Sequence, residues 1–260
     1  MPGPSVERAA RPRTRSWTSD LAFRLYRELA AEPGNVLLSP YAVLGALMVL
    51  RAAAGGGTRR EIEVALQRRE TGEALTRSFG VLLREVGHLA RAGSGLAEIM
   101  SATALWCRPG CPVRPDFVET LRARYGAEAG EVDFARSPAE ATRTINAWAS
   151  EATRGRVRRL MDEGEAAILH NGVLANVVYF NGPWLEPFGE GATWEEPFFA
   201  GSGRREVPMM HGVGTRAYAR VGHVEALQLP CAVSRIRMIV LLPEEGHLEE
   251  VEHEFACCLL

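Results

Sequence analysis

The sequence predicts an α+β fold. Helical patterns fill the first 160 residues, strand-like runs fill the remainder, and neither an internal repeat nor a regular βαβ alternation joins the two. The chain of 260 residues carries 47% hydrophobic and 24% charged side chains, enough apolar mass for one large core. A net charge of −2 gives no overall pull toward nucleic acid. No apolar stretch approaches the roughly 20 residues a membrane-spanning helix needs, so no membrane association is expected.

Residues 1–16 are Arg- and Pro-rich without an apolar centre, which reads as a disordered leader and not as a signal peptide. Leu21, Leu25 and Leu29 recur at i, i+4 behind Thr-Ser-Asp, the pattern of an amphipathic surface helix. A short strand is expected at 35–38, then Ser39 as N-cap and Pro40 at the first helical position. The helix from Tyr41 to Ala54 is apolar on every side until Arg51, so it should run through the core. Gly55-Gly56-Gly57-Thr58 ends it, and Arg59–Leu66 begins another helix. A further amphipathic helix is expected over 76–90, a strand over 97–107, a helix from Pro115 to Tyr125, and a strand from Ala129 to Phe134.

Ser137-Pro138-Ala139-Glu140 reads as a capping box, opening a helix with Ala141, Ile145, Trp148 and Ala149 on one face. A strand is expected at 168–180, followed by strands at 197–200, 205–211, 215–221, 224–230 and 235–242. A last helix, 247–255, should bury Leu248, Val251 and Phe255.

The stretch ANVVYFNGPWLEPF (175–188) holds an anomaly. Val177, Val178, Tyr179 and Phe180 form strand-favouring apolar sequence, and Asn181-Gly182-Pro183 stops it. Asn176 places an amide inside this run, and a buried amide without partners costs on the order of 1–3 kcal/mol.

The sequence holds no nucleophile elbow, phosphate loop, zinc-protease or dinucleotide motif, and Gly201-Ser202-Gly203 reads as a turn. No catalytic residue and no cofactor are expected. His247 and His253 are six apart, off a common helix face, so no metal site is expected either. Cys107, Cys111, Cys231, Cys257 and Cys258 match no zinc spacing and read as free thiols. Arg154, Arg156, Arg158 and Arg159 form a basic cluster that is either a candidate polyanion patch or a solvated helix end.

Six segments in fixed order carry a family resemblance: NVLLSPYAVLGALMVL, GGGTRREIEVAL, INAWASEATRGRVRRLM, GVLANVVYFNGPWLEPF, FFAGSGRREVPMMHGVGTRAYA and ALQLPCAVSRIRMIVLLPEEG. They resemble the serpins, the suicide inhibitors of serine proteases, and look like the family's strand 6B with helix B, the turn into helix C, helix F, strand 3A, the 4C–3C hairpin, and strands 2B and 3B. SPYAV and YFNGPW look closest to the plasminogen-activator-inhibitor branch. The resemblance implies a serpin fold, with N-terminal helices packed on large sheets A, B and C, and an inhibitor, not an enzyme. In that family a protease cleaves an exposed reactive-centre loop, and the cut loop enters sheet A as a new strand.

Ser39 and Asn176 match the family's shutter, where sheet A parts over helix B, and Trp184 matches its breach, where insertion begins. The family commonly has Ser where this chain has Ala42, which thins the shutter network. The partners implied are a serine protease and a glycosaminoglycan or vitronectin-like ligand, with the protein acting as a monomer. The setting implied is extracellular, with the cytoplasm as the alternative.

The resemblance covers 17–260 as a single domain that lacks strands 6A and 5A, the reactive-centre loop, and strands 1C, 4B and 5B. Three expectations follow. These residues alone should not inhibit, leaving a non-inhibitory binding or decoy protein as the alternative. Residues 236–242 should form an unpaired edge. Asn176 should be short of partners.

Overall fold

Pro40 fixes φ at the first helical position and Ser39 Oγ accepts the Ala42 N–H at 3.3 Å, so the apolar run starts a helix where expected. In this computed structural model, the described residues are 17–32, 34–66, 73–92, 97–162, 164–169, 171–200, 203–233 and 235–254. The leader 1–16, Ser202, Phe255, Cys257 and Cys258 lie outside them.

The helical half comprises α1 (Trp17–Leu29), α2 (Pro40–Ala53), α3 (Gly56–Ala65), α4 (Glu73–Ala92), α5 (Pro115–Thr120) and α6 (Pro138–Ala152). Between them lie β1 (Glu98–Cys107) and β2 (Ala127–Glu131), and β3 (Gly172–Asn181) follows. The strand-rich remainder comprises β4 (Thr193–Ala200), β5 (Gly203–Met210), β6 (Ala217–Val221), β7 (Val224–Pro230) and β8 (Arg237–Pro243), closed by α7 (Leu248–Glu254).

Among the described residues three sheets result: β2-β1-β3, the hairpin β4-β5, and β6-β7-β8. In the first, β1 runs parallel to β2 over Thr103–Cys107 and antiparallel to β3 over all ten residues. Side chains alternate across a strand, so the two faces bury different sets. Ala104, Ala175 and Val177 pack on Trp148 and Ala149 of α6, the face read from the sequence. Leu105 and Leu174 point the other way, onto the core of Leu44, Met48, Leu75, Phe79 and Leu121. Asn176, two residues from Leu174, therefore faces α2. The α2 helix is buried at Leu44, Gly45, Met48 and Val49, and its buried Arg51 pairs with Glu63 of α3 at 2.6 Å.

Several local expectations are corrected. Residues 35–38 form no strand, because no neighbouring strand accepts them among the described residues, and Leu37 is 101% exposed. The helix after Pro115 ends at Thr120 and continues as a π-helical turn, Leu121–Tyr125, closed by Gly126 at φ 61°. The strand expected over 129–134 spans Ala127–Glu131, and Val132 and Phe134 leave it to pack against Ala141 and Ile145. Ser137 makes no side-chain cap: its φ −137° and ψ 57° depart from the extended geometry that aims a hydroxyl at the helix. Its carbonyl accepts Glu140 and Ala141 N–H instead. Residues 165–168 are a 3₁₀ turn, so β3 begins later than expected, at Gly172. In α7, Val251 is buried but Leu248 is 56% exposed.

Among the described residues the expected open edge is present. Strand β8 ends its sheet with Met238, Ile239, Val240 and Leu242 exposed. Ile239 and Leu241 help line two apolar cavities, of about 430 Å³ beside Tyr218 and Leu227 and about 450 Å³ beside Phe23, Leu38 and Val251.

The first and last helices meet where the Tyr26 hydroxyl donates to Glu252 Oε1 at 2.6 Å. That hydrogen bond, with burial, pushes the Tyr26 phenol from 10.0 up to about 12. The fold thus favours the protonated phenol; its contribution is complete below pH 10 and is lost as pH rises through about 12. In an alkaline absorbance titration of the five tyrosines, one phenol should ionise about two units late, and Tyr26→Phe should abolish that last step.

Candidate functional site

The β-branched run of β3 places Asn176 opposite Thr103 of β1, and the register puts their side chains on the same face. Asn176 Nδ2 donates to Thr103 Oγ1 at 2.6 Å, while Asn176 Oδ1 is buried with no partner. The α2 helix reaches this point through a glycine: a Cβ on Gly45 would lie 3.6 Å from Asn176 Nδ2 and 3.8 Å from Phe79 Cζ. The amide is therefore enclosed by a helix, an aromatic ring and its neighbour strand. Its free acceptor sits on a strand whose second edge is unpaired among the described residues. Edge backbone groups and an orphaned buried acceptor both call for a donor from an added strand.

Ser39 holds the start of α2 through its cap, and no described hydrogen bond joins it to Asn176. Trp184, half-buried, lies just beyond β3 and forms an isolated antiparallel bridge with Cys231. Leu185 N–H donates to Pro230 O and Ala232 N–H donates to Pro183 O, each at 2.9 Å, stitching the end of β3 to the end of β7.

The four arginines of the basic cluster part company. Arg156 pairs with Glu98 at 2.9 Å and lies over the Tyr179 ring at 5.7 Å, and Arg159 pairs with Asp162 at 2.6 Å. Arg158 Nε donates to Gly155 O at 3.2 Å. Arg154, in the left-handed region at φ 51°, instead lines a polar cleft of about 680 Å³ with Arg84, Arg122 and Arg124. That cleft lies along Ile99–Thr103, the half of β1 that β2 leaves largely uncovered. Sequence reading missed Arg84, Arg122 and Arg124 because they come from α4 and the π-helical turn; Arg-Ala-Arg within a helix tail was the only local signal.

Cys107, Cys111 and Cys231 are free thiols, as expected. Burial, and Cys111 beside it, push the Cys107 thiol up, away from reactive thiolate.

The family model described as Serpin (serine protease inhibitor) matches residues 16–258. A serpin-like protein of Thermococcus kodakarensis is 35% identical over 235 residues, 90% of this chain and 54% of the relative. Human serpin B9 is 34% identical over 215 residues, 82% of this chain and 56% of the relative. The chain thus spans little more than half the length of these relatives. The structure of Arabidopsis AtSerpin1 in its native stressed conformation superposes with a TM-score of 0.84 at 23% identity, over 93% of this chain and 63% of that one. Emu ovalbumin superposes with a TM-score of 0.79 at 22% identity, over 91% of this chain and 65% of that one. Family model, relatives and folds agree, and the chain belongs to the serpin family.

Proposed function

We propose that this chain is the strand-receiving body of a serpin-type serine protease inhibitor. The observation that carries the reading is the ten-residue strand β3, its second edge open among the described residues, with the unpaired Asn176 Oδ1 beneath it. An extended segment entering there would satisfy the edge by backbone hydrogen bonding and could bring a donor to Asn176. In the family this segment is the cleaved reactive-centre loop, and residues 1–260 contain no stretch similar to it.

In this reading Asn176 is the latch of the shutter. Ser39 sets where α2 begins under the sheet, and Trp184 marks the breach, where β3 is tied to β7. Residues 17–260 act as one domain and as a monomer, without cofactor, and the protease partner is a serine protease of trypsin-like type. The extracellular setting common in the family is proposed with it. The free thiols at Cys107, Cys111 and Cys231 are equally suited to the alternative, the cytoplasm.

A second reading, a non-inhibitory binding or decoy protein, is favoured by the arginine-lined cleft. That cleft lies on the β2 side of β1, across the sheet from the β3 edge, and needs no strand insertion. A glycosaminoglycan or vitronectin-like partner fits there better than along 154–159, where Arg156 and Arg159 are already paired.

A polypeptide of residues 1–260 mixed with trypsin-like and elastase-like proteases should give no SDS-stable complex. It should nevertheless take up an extended peptide of small residues, seen as slowed amide exchange across Gly172–Asn181. An SDS-stable band, or a β3 whose exchange ignores every such peptide, would overturn the reading.

Thr103→Val leaves the whole Asn176 amide unpaired, so it should destabilise by about 1–3 kcal/mol in urea unfolding. The double variant Thr103→Val/Asn176→Leu removes both polar groups and should recover most of that loss. Equal destabilisation of the single and double variants would exclude the latch as an energetic unit.

A further inference from the structure

Two tight turns bring distant ligating residues together. Gly222, at φ 54°, turns β6 into β7 and presents His223; Gly246, at φ 83°, turns the chain after Glu244-Glu245 and presents His247 ahead of α7. The ligand atoms of His223, His247 and Glu250 all lie within 4.8 Å of one another. The imidazole rings stack with centroids 3.8 Å apart and 21° between planes. His247 Nε2 is 3.9 Å from Glu250 Oε2, one helical turn further on.

The groups behind the rings matter as much as those between them. His223 Nδ1 is 2.8 Å from Glu244 Oε2, and His247 Nδ1 is 3.2 Å from the Glu245 carbonyl oxygen. An oxygen acceptor at Nδ1 selects the Nδ1–H tautomer, the usual outer arrangement of histidines that ligate a metal through Nε2. His223 and Glu250 are exposed and His247 is half-buried, so an ion reaches the cluster directly.

We propose that His223 Nε2, His247 Nε2 and a Glu250 carboxylate oxygen bind one divalent cation of the zinc class. Two imidazoles and a carboxylate suit a borderline ion, and water completes the shell. With ligand bonds of about 2.0–2.2 Å, tetrahedral donors stand about 3.4 Å apart. Binding therefore draws the three donors together and turns the rings out of their stack, which side-chain rotation alone provides. The ion would clip the β6–β7 turn to the start of α7, a helix otherwise anchored by Val251 and by the Tyr26–Glu252 hydrogen bond.

The test is calorimetric titration of Zn²⁺ into the metal-free 260-residue protein, repeated with Co²⁺ under absorption spectroscopy. One site is expected, weakened at least tenfold by either His223→Gln or His247→Gln and unchanged by His88→Gln on α4. Zn²⁺ should raise the Tm of the parent and leave that of His223→Gln where it was, the two metal-free proteins having matching circular dichroism. Binding that both histidine variants retain would overturn the assignment. So would a thiolate-to-cobalt charge-transfer band, which would place the ion on cysteine, or the absence of any saturable binding.

Discussion

The antiparallel ladder between β1 and β3, ten residues long, organises the helical half of the molecule. It presents Ala104, Ala175 and Val177 to α6 on one face, and Leu105 and Leu174 to the α2 core on the other. A one-residue slip would exchange the faces, sending Asn176 into the apolar contact with Trp148 and Ala149 and turning Ala175 toward α2. The register that seals both cores is therefore the register that pairs Asn176 with Thr103. Core packing and the candidate site are two consequences of one alignment.

What the sequence made legible was whatever its near neighbours decide. Pro40 behind Ser39 started α2, and the spacing of Ala141, Ile145, Trp148 and Ala149 named the buried face of α6, because both depend on residues within a turn or two. Features that depend on distant partners were misread or missed. Residues 35–38 have strand composition but no neighbour to pair with, and Ser137 has capping chemistry but a backbone that points it elsewhere. Arg84, Arg122, Arg124 and Arg154 converge from three separate parts of the chain. His247 looked unpartnered beside His253, while the fold sets it against His223, and nothing in local spacing records that contact. The family resemblance bridged part of this gap by naming Asn176 as a shutter position, a role that remains proposed.

Among the sheet edges left unpaired in the described residues, those of β3 and β8 differ in kind. The β3 edge lies above a helix and carries one orphaned polar atom, so it asks for a specific partner. The β8 edge carries Met238, Ile239, Val240 and Leu242 beside two apolar cavities, and any apolar strand would answer it. One edge can discriminate and the other cannot, which separates recognition from stickiness within one chain.

The stitch between the ends of β3 and β7 has a mechanical consequence. Pro183 and Leu185 hold Ala232 and Pro230 by hydrogen bonds that alternate in direction, so β3 cannot slide without dragging its neighbour. Lateral displacement of the first sheet is thereby geared to the third, and Cys231, buried at the joint, sits where that strain would be felt. If the first sheet parts as proposed, it does so at an end fastened to the third sheet, which makes the joint a fulcrum.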